Sequence, residues 1–240
     1  MTFKAHSSLT PLIKYLRENS GASRRNLLKK IMNGHVQVNQ AVIVDSQFLV
    51  SQSDLVILDG KRVQKEGYLY YKFHKPLDVI STFNDPKNRS DLSFFIKKNK
   101  LNPTLKPIGR LDRHSSGLLL FSNDGEFIQK ILHPKYLIEK DYEIIIDSTI
   151  RKTDMDRMSG GFFLDDGPVK INFKQIFSET HFIVSISMGR NRILRRSFDF
   201  FGYKITKLHR RSIGSIELGN LKKGAFQKVS PQDVKTLVLN

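Results

Sequence analysis

Two stretches near the N-terminus repeat their apolar residues at the helical period. "LTPLIKYLREN" places Leu12, Ile13, Tyr15 and Leu16 on one face. "ASRRNLLKKIMNG" predicts a second helix with Ser23 as N-cap, an apolar stripe of Leu27, Leu28, Ile31 and Met32, and Gly34 as its C-terminal stop. "HVQVNQAVIVDSQFLVSQSDLVILDG" then alternates with period two, which predicts strands joined by turns near Asn39–Gln40 and Ser51–Asp54. "KRVQKEGYL" reads as a polar linker. Beyond it, β-like runs ("LYYKFHK", "DVISTF", "GLLLFSN", "DYEIIID", "HFIVSIS") are mixed with helical stretches such as "SDLSFFIKKN" and "EFIQKILHP". Strands and helices without regular βαβ spacing predict an α+β fold rather than a doubly wound sheet. The expected division is a small unit over residues 1–65 and a larger one over 66–240.

Composition adds a partner class. The 240 residues include 17 Phe and are 39% hydrophobic, enough for a real core, yet 40 Lys+Arg against 23 Asp+Glu leave a formal charge of +17. Charge of that size points first to nucleic acid. No apolar run approaches the roughly 18 residues of a membrane span, and "MTFKAHSSLT" lacks a signal-peptide core, so no membrane partner and a cytoplasmic location are expected. Cysteine is absent, which excludes disulfides and thiolate catalysis. The seven His follow neither HxxxH nor HExxH spacing, and no P-loop, strand-coupled GxGxxG or GxSxG occurs. The expectation is therefore no metal and no cofactor.

Three constellations carry candidate chemistry. In "IGRLDRHSSGLLLFSNDG" a single carboxylate, Asp112, lies between Arg110 and Arg113 ahead of an apolar run. It reads either as a surface ion pair or as an ionised, fixed nucleophile, with Gly109 and Gly117 tightening the backbone around it. In "HPKYLIEKDYEIII", Tyr142 is either a half-buried strand residue or an aromatic platform for a base. From Arg190 to Arg211 there are eight Lys+Arg and one acidic residue, Asp199. If "NRILRRSFDFF" is a helix, Leu194, Phe198 and Phe201 face inward and Arg192, Arg195 and Arg196 share a polar side. That face is either solvated or tracks phosphates. In the first 65 residues, where basic residues outnumber acidic ones 10 to 4, Arg24, Arg25, Lys29 and Lys30 cluster on the second helix.

The helix–helix–hairpin order with "GASRRNLLKKIMNGHVQVN" resembles the alpha-L RNA-binding domain of a small-subunit ribosomal protein, over roughly residues 6–65. It departs where the family has Asn-Gly, since Gln40 follows Asn39, a change expected to alter turn type. "GRLDRHSSGLLLFSNDG" is similar to the signature loop of the rRNA pseudouridine synthases, in the RsuA-like branch that carries an N-terminal alpha-L domain. "KPLDVIST" resembles the entry strand, "KDYEI" the second motif and "GRNRILRR" the third.

The resemblance implies an α+β catalytic domain with a mixed, mostly antiparallel sheet, and isomerisation of a uridine in ribosomal RNA without a cofactor, by a monomer. It makes Asp112 the essential carboxylate, acting at C1′, through a glycal, or at C6. Tyr142 would stack on the target base, Arg195 would hold Asp112, and Leu194 would form an apolar wall. Arg110, Arg113, Arg190, Arg192, Arg196, Arg24, Arg25 and Lys29 would contact RNA. "GRNR" leans toward the large-subunit branch. Asp78 replaces a usual Gly, Ile193 a usual Gln and Ser197 a usual Met. A non-catalytic rRNA-binding factor on the same scaffold is the alternative.

Overall fold

The computed structural model describes residues 9–239 except 52, 65, 66, 84 and 88. It divides into two compact units. One runs to Leu69 and takes in Asn102–Lys106 and Ser122–Gly125; the other comprises Tyr70–Leu101, Pro107–Phe121 and Glu126 onward. The expected boundary at 65/66 falls outside the described residues, as do residues 6–8 of the alpha-L resemblance.

The first unit contains β1 (Thr10–Pro11), α1 (Leu12–Asn19), α2 (Arg24–Met32), β2 (Val36–Val38), β3 (Ala41–Val42), β4 (Leu49–Val50), β5 (Val56–Leu58) and β6 (Lys61–Val63). Leu12, Ile13, Tyr15 and Leu16 of α1 are buried with Leu27 and Ile31 of α2 against Val36, Val38 and Val56. The Ser23 hydroxyl caps α2 by accepting from the Asn26 amide, and Gly34 follows with φ +75°. Met32 does not join the apolar stripe; it is 72% exposed, one helical position beyond the face that Leu27 and Ile31 bury.

The four-stranded sheet has the order β3-β2-β5-β6. Lys61–Val63 is thus a strand and not the start of a linker, and the Tyr15 hydroxyl donates to the Val63 carbonyl at 3.0 Å. Asn39 and Gln40 have φ of +49° and +71°. Two positive angles in a two-residue hairpin define the mirror-image turn that Asn-Gly favours. The turn type is retained despite Gln40, because the paired strands dictate it and Asn39 is pinned by bonds to Asp54 and the Leu55 amide.

The second unit is built on β7 (Tyr70–Lys75), α3 (Leu92–Lys98), β8 (Lys106–Ile108), β9 (Ser116–Ser122), α4 (Gly125–Leu132), β10 (Lys140–Ile146), α5 (Lys152–Gly160), β11 (Phe162–Leu164), β12 (Gly167–Val169), β13 (Asn172–Ser178), β14 (His181–Ile186), α6 (Ile193–Phe200), β15 (Ile205–Ile213), β16 (Ile216–Glu217), β17 (Phe226–Lys228) and α7 (Pro231–Leu239). Its principal sheet has the order β13-β14-β10-β15-β9-β7-β17, with β16 on β15 and β8 on β9. β10 runs antiparallel to β14 and β15, whereas β15 and β9 run parallel. The fold is α+β with a mostly antiparallel sheet.

β9 is buried at every position, which is why it reads as a continuous apolar run. β10 alternates: Tyr142, Ile144 and Ile146 are buried in a core with Phe182, Val184 and Phe198, while Asp141 and Glu143 take the other face. "DVISTF" is not a strand; it contributes one isolated bridge, Ile80 to Asp91. Its polar groups serve instead to hold the neighbouring loop. Asp78 has φ +60°, the left-handed region where glycine is at ease, which accounts for a usual Gly at that position.

Candidate active site

The loop between β8 and β9 carries Asp112, and its five consecutive carbonyls from Leu111 to Ser115 all accept hydrogen bonds. The Ser81 hydroxyl donates to Leu111 (2.7 Å) and takes the Leu111 amide in return (3.1 Å). The Ser115 amide donates to the Asp112 carbonyl and the Asp78 amide to that of Arg113. Arg195 Nη2 donates to the His114 carbonyl at 2.7 Å, and Lys75 Nζ to that of Ser115 at 2.7 Å. Such a loop cannot move without breaking several bonds at once. Past it, Gly117 lets β9 pass directly against the backbone of Arg210; a Cβ there would lie 2.2 Å from the Arg210 carbonyl oxygen.

The Asp112 carboxylate itself is one-third exposed, and Arg192 Nη1, at 3.7 Å, is its ion-pair partner among the described residues. Asp112 lines a cavity with Tyr142 and Lys140 of β10, Leu194 and Arg195 of α6, and Leu208 and Arg210 of β15. The Tyr142 hydroxyl accepts from Arg210 Nη1 at 3.3 Å, and Arg210 Nε donates to the Leu118 carbonyl at 2.7 Å. Among the described residues, three buried polar atoms of cavity-lining side chains have no hydrogen-bond partner: Ser115 Oγ, Arg195 Nε and Arg210 Nη2. Unpaired buried donors are costly, and their gathering here suits a polar ligand. Burial pushes the Lys75 ammonium down to about 8, with Asp112 pulling it the other way. Lys140 is pushed down to about 8 by burial and by the Arg210 charge.

Several expectations change. Arg195 does not grip the Asp112 carboxylate; its guanidinium is spent on the carbonyls of Ile205 and His114, and Arg192 supplies the ion pair. Arg113 faces Asp78 at 3.2 Å and does not line the cavity. Arg190 lines it but is bonded to Asp166, and Arg196 is bonded to Asp165 and Asp166 and does not line it. Two arginines of the basic run, Arg190 and Arg196, are therefore ion-paired, by acids from a distant hairpin rather than from their own helix. Arg110 is exposed at the rim and Leu194 is a buried wall. Ile193 also lines the cavity, and the buried Ser197 hydroxyl has no hydrogen-bond partner among the described residues. In the first unit Arg24, Arg25 and Lys29 are exposed, whereas Lys30 is paired with Asp59.

Arg210, Lys75, Ser81 and Lys140 escaped the sequence reading. Alternation held the signal for two of them: Leu208 and Arg210 share a face in "ITKLHRRSI", as do Phe73 and Lys75 in "YYKFHK".

The α+β sheet thus brings a carboxylate, a tyrosine and several arginines, far apart in sequence, to one cavity. The family model for RNA pseudouridylate synthase matches residues 70–199. The chain belongs to that family and is an RNA pseudouridine synthase, an isomerase. It is 34% identical to the ribosomal large subunit pseudouridine synthase B of Bacillus subtilis (strain 168), over 94% of each chain. It is 31% identical to an uncharacterised RNA pseudouridine synthase of Aquifex aeolicus, over 93% of this chain and 92% of that one. A solved structure described as a pseudouridylate synthase superposes with a TM-score of 0.67 at 24% identity, covering 95% of this chain and 99% of the other, which supports the fold.

Proposed function

We propose that the protein converts one uridine of large-subunit ribosomal RNA to pseudouridine, with Asp112 as nucleophile. The observation that carries this reading is the Asp112 carboxylate, free of hydrogen bonds among the described residues, ion-paired with Arg192 and within the field of Lys75 and Arg195, on a loop whose carbonyls from Leu111 to Ser115 all accept hydrogen bonds. The relative named as a large-subunit enzyme supports the choice of RNA. In the reaction the C1′–N1 bond breaks, the uracil turns, C5 bonds to C1′, and the proton lost from C5 is balanced by one gained at N1. Composition is unchanged, so no oxidant and no net water are required.

Extruding the uridine from its stack costs a few kcal/mol. Packing of the base on Tyr142 returns about 1–3 kcal/mol of that. The unpartnered donors on Arg210 and Ser115 suit the base carbonyls and ribose oxygens. Arg110 remains as a cavity-side cation for phosphate, and Arg24, Arg25 and Lys29 present a second basic face as the RNA-binding part of the first unit.

Carbodiimide-blocked primer extension on rRNA from a strain lacking the gene tests this directly. One stop in large-subunit RNA should vanish, return with the wild-type gene, and stay absent with Asp112→Asn even though that variant still binds RNA. Complementation by Asp112→Asn would show a non-catalytic role. Loss of a stop in small-subunit RNA alone would move the substrate, and no lost stop in either would refute rRNA modification.

A further inference from the structure

Hairpin β11–β12 turns through Asp165 and Asp166, and this acidic tip is tied to the segment that walls the cavity. Arg190 Nη1 donates to Asp166 Oδ1 at 2.8 Å and to the Asp166 carbonyl at 2.6 Å, and Nη2 donates to the Pro168 carbonyl at 2.6 Å. Arg196 reaches the same carboxylate as a two-pronged fork, Nη1 to Oδ2 and Nη2 to Oδ1, both at 2.8 Å; Nη2 also meets Asp165. Forked arginine–carboxylate pairs fix orientation as well as distance. Both guanidiniums are only about one-quarter exposed, so they serve the protein before they can serve a phosphate. The Arg196 fork, with Arg190 beside it, holds the Asp166 carboxyl below its ordinary value.

What lies between the two arginines gives the clamp its meaning. Arg192 has φ +45°, a left-handed backbone at a residue with a long side chain. Such a conformation persists only where the surroundings over-determine it. Its carbonyl begins α6 by accepting the Arg196 amide, and the Ile193 amide reaches back to the Arg190 carbonyl. With Arg190 and Arg196 anchored on one carboxylate, the intervening turn has its ends fixed, and its side chain is the cation beside Asp112.

We propose that Asp166 is a positioning residue of the active site: by clamping Arg190 and Arg196 it holds Arg192 in the left-handed turn that brings its guanidinium to Asp112. The role rests on the reading of Asp112 as the reacting carboxylate, and two measurements separate the claims. Hydrogen exchange on the free protein reads the clamp without RNA. Amides across residues 193–197, which bond back to the Arg190 and Arg192 carbonyls and the first turn of α6, should exchange about tenfold faster in Asp166→Asn, and in Arg190→Gln as a second variant. Asp165→Asn removes a charge from the same tip and one contact to Arg196 but leaves the Asp166 fork and Arg190 intact, and should leave them protected. Equal protection in wild type and Asp166→Asn overturns the clamp.

The kinetic measurement is a double-mutant cycle on single-turnover tritium release from a large-subunit rRNA transcript labelled at uridine C5. Asp166→Asn should slow the wild type about tenfold with little change in KM, yet add almost nothing to Arg192→Gln. Equal losses in both backgrounds overturn the proposal, because Asp166 would then act without Arg192. A wild type that releases no tritium fails the rRNA assignment, and the exchange data still decide the clamp.

Discussion

Replacing Gly117 by alanine probes the crossing on which the site is assembled. β9 and β15 run parallel there, with Ser116 opposite His209 and Gly117 opposite Arg210. An ideal Cβ on Gly117 would sit 2.2 Å from the Arg210 carbonyl oxygen and 2.5 Å from its nitrogen, against 3.4 Å for ordinary contact. All three nearest atoms belong to backbone, so no rotamer change relieves the clash. β15 must move away by more than about 1 Å, in a sheet whose strands sit roughly 4.8 Å apart. Overpacking of this kind costs about 1–3 kcal/mol. The backbone angle, φ +110°, adds about 1–2 kcal/mol for a residue with a Cβ.

The expected loss is about 2–5 kcal/mol, a large share of a typical domain's 5–15 kcal/mol. Because the displaced segment carries Arg210, whose Nη1 meets the Tyr142 hydroxyl, isomerisation should slow at least about tenfold in the molecules that remain folded. Equilibrium urea unfolding with single-turnover kinetics checks both. A loss under about 1 kcal/mol with an undiminished rate would refute the reasoning.

In the first unit, Gln40→Gly relieves a left-handed residue at an exposed turn and should stabilise the protein by about 1 kcal/mol, seen as a higher melting temperature; no gain would mean that the turn tolerates its side chain without strain. The pH dependence of stability should carry a signature of Lys75, fully buried and with its proton released near pH 8 instead of 10.5. Between those values the unfolded chain binds the proton that the folded one has lost, so stability rises with pH. From pH 7.5 to 9.5 the wild type should gain about 2 kcal/mol relative to Lys75→Met. Parallel unfolding free energies for the two proteins over that range would show that Lys75 does not titrate there.

The sequence was most legible where a single periodicity determined burial. α1 shows its face in Leu12, Ile13, Tyr15 and Leu16, and β9 announces itself by an unbroken apolar run. It misled where a segment's role depends on what it touches. "DVISTF" has strand composition, yet its backbone and Ser81 are used to tether the Asp112 loop. Position 112 stood out because a carboxylate between arginines is conspicuous, but its companion could not be chosen by proximity in sequence. Arg192, Arg195 and Arg196 lie within five residues, and only the helix start and the Asp166 hairpin decide which of them faces inward. Lys75 and Arg210 looked like surface charges on alternating strands. Alternation puts each on the face of a buried neighbour, Phe73 or Leu208, but the cost of burying a charge argues against reading it inward until its partners, the Ser115 and Leu118 carbonyls, are known.

The place of β15 in the sheet also governs when activity can arise. It is the strand between β10, which holds Tyr142, and β9, which follows Asp112, and its partners on β9 lie 93 residues earlier in the chain. Closing so long a loop is among the slower events of folding, since chain entropy is lost before the pairing compensates. A nascent chain that has emerged only as far as α6 already contains Asp112, Tyr142 and every arginine of the third motif, but it lacks the strand that sets Arg210 against the Tyr142 hydroxyl and pairs with both β9 and β10. The cavity has its full wall, Leu208 and Arg210 included, only once that one strand is in place.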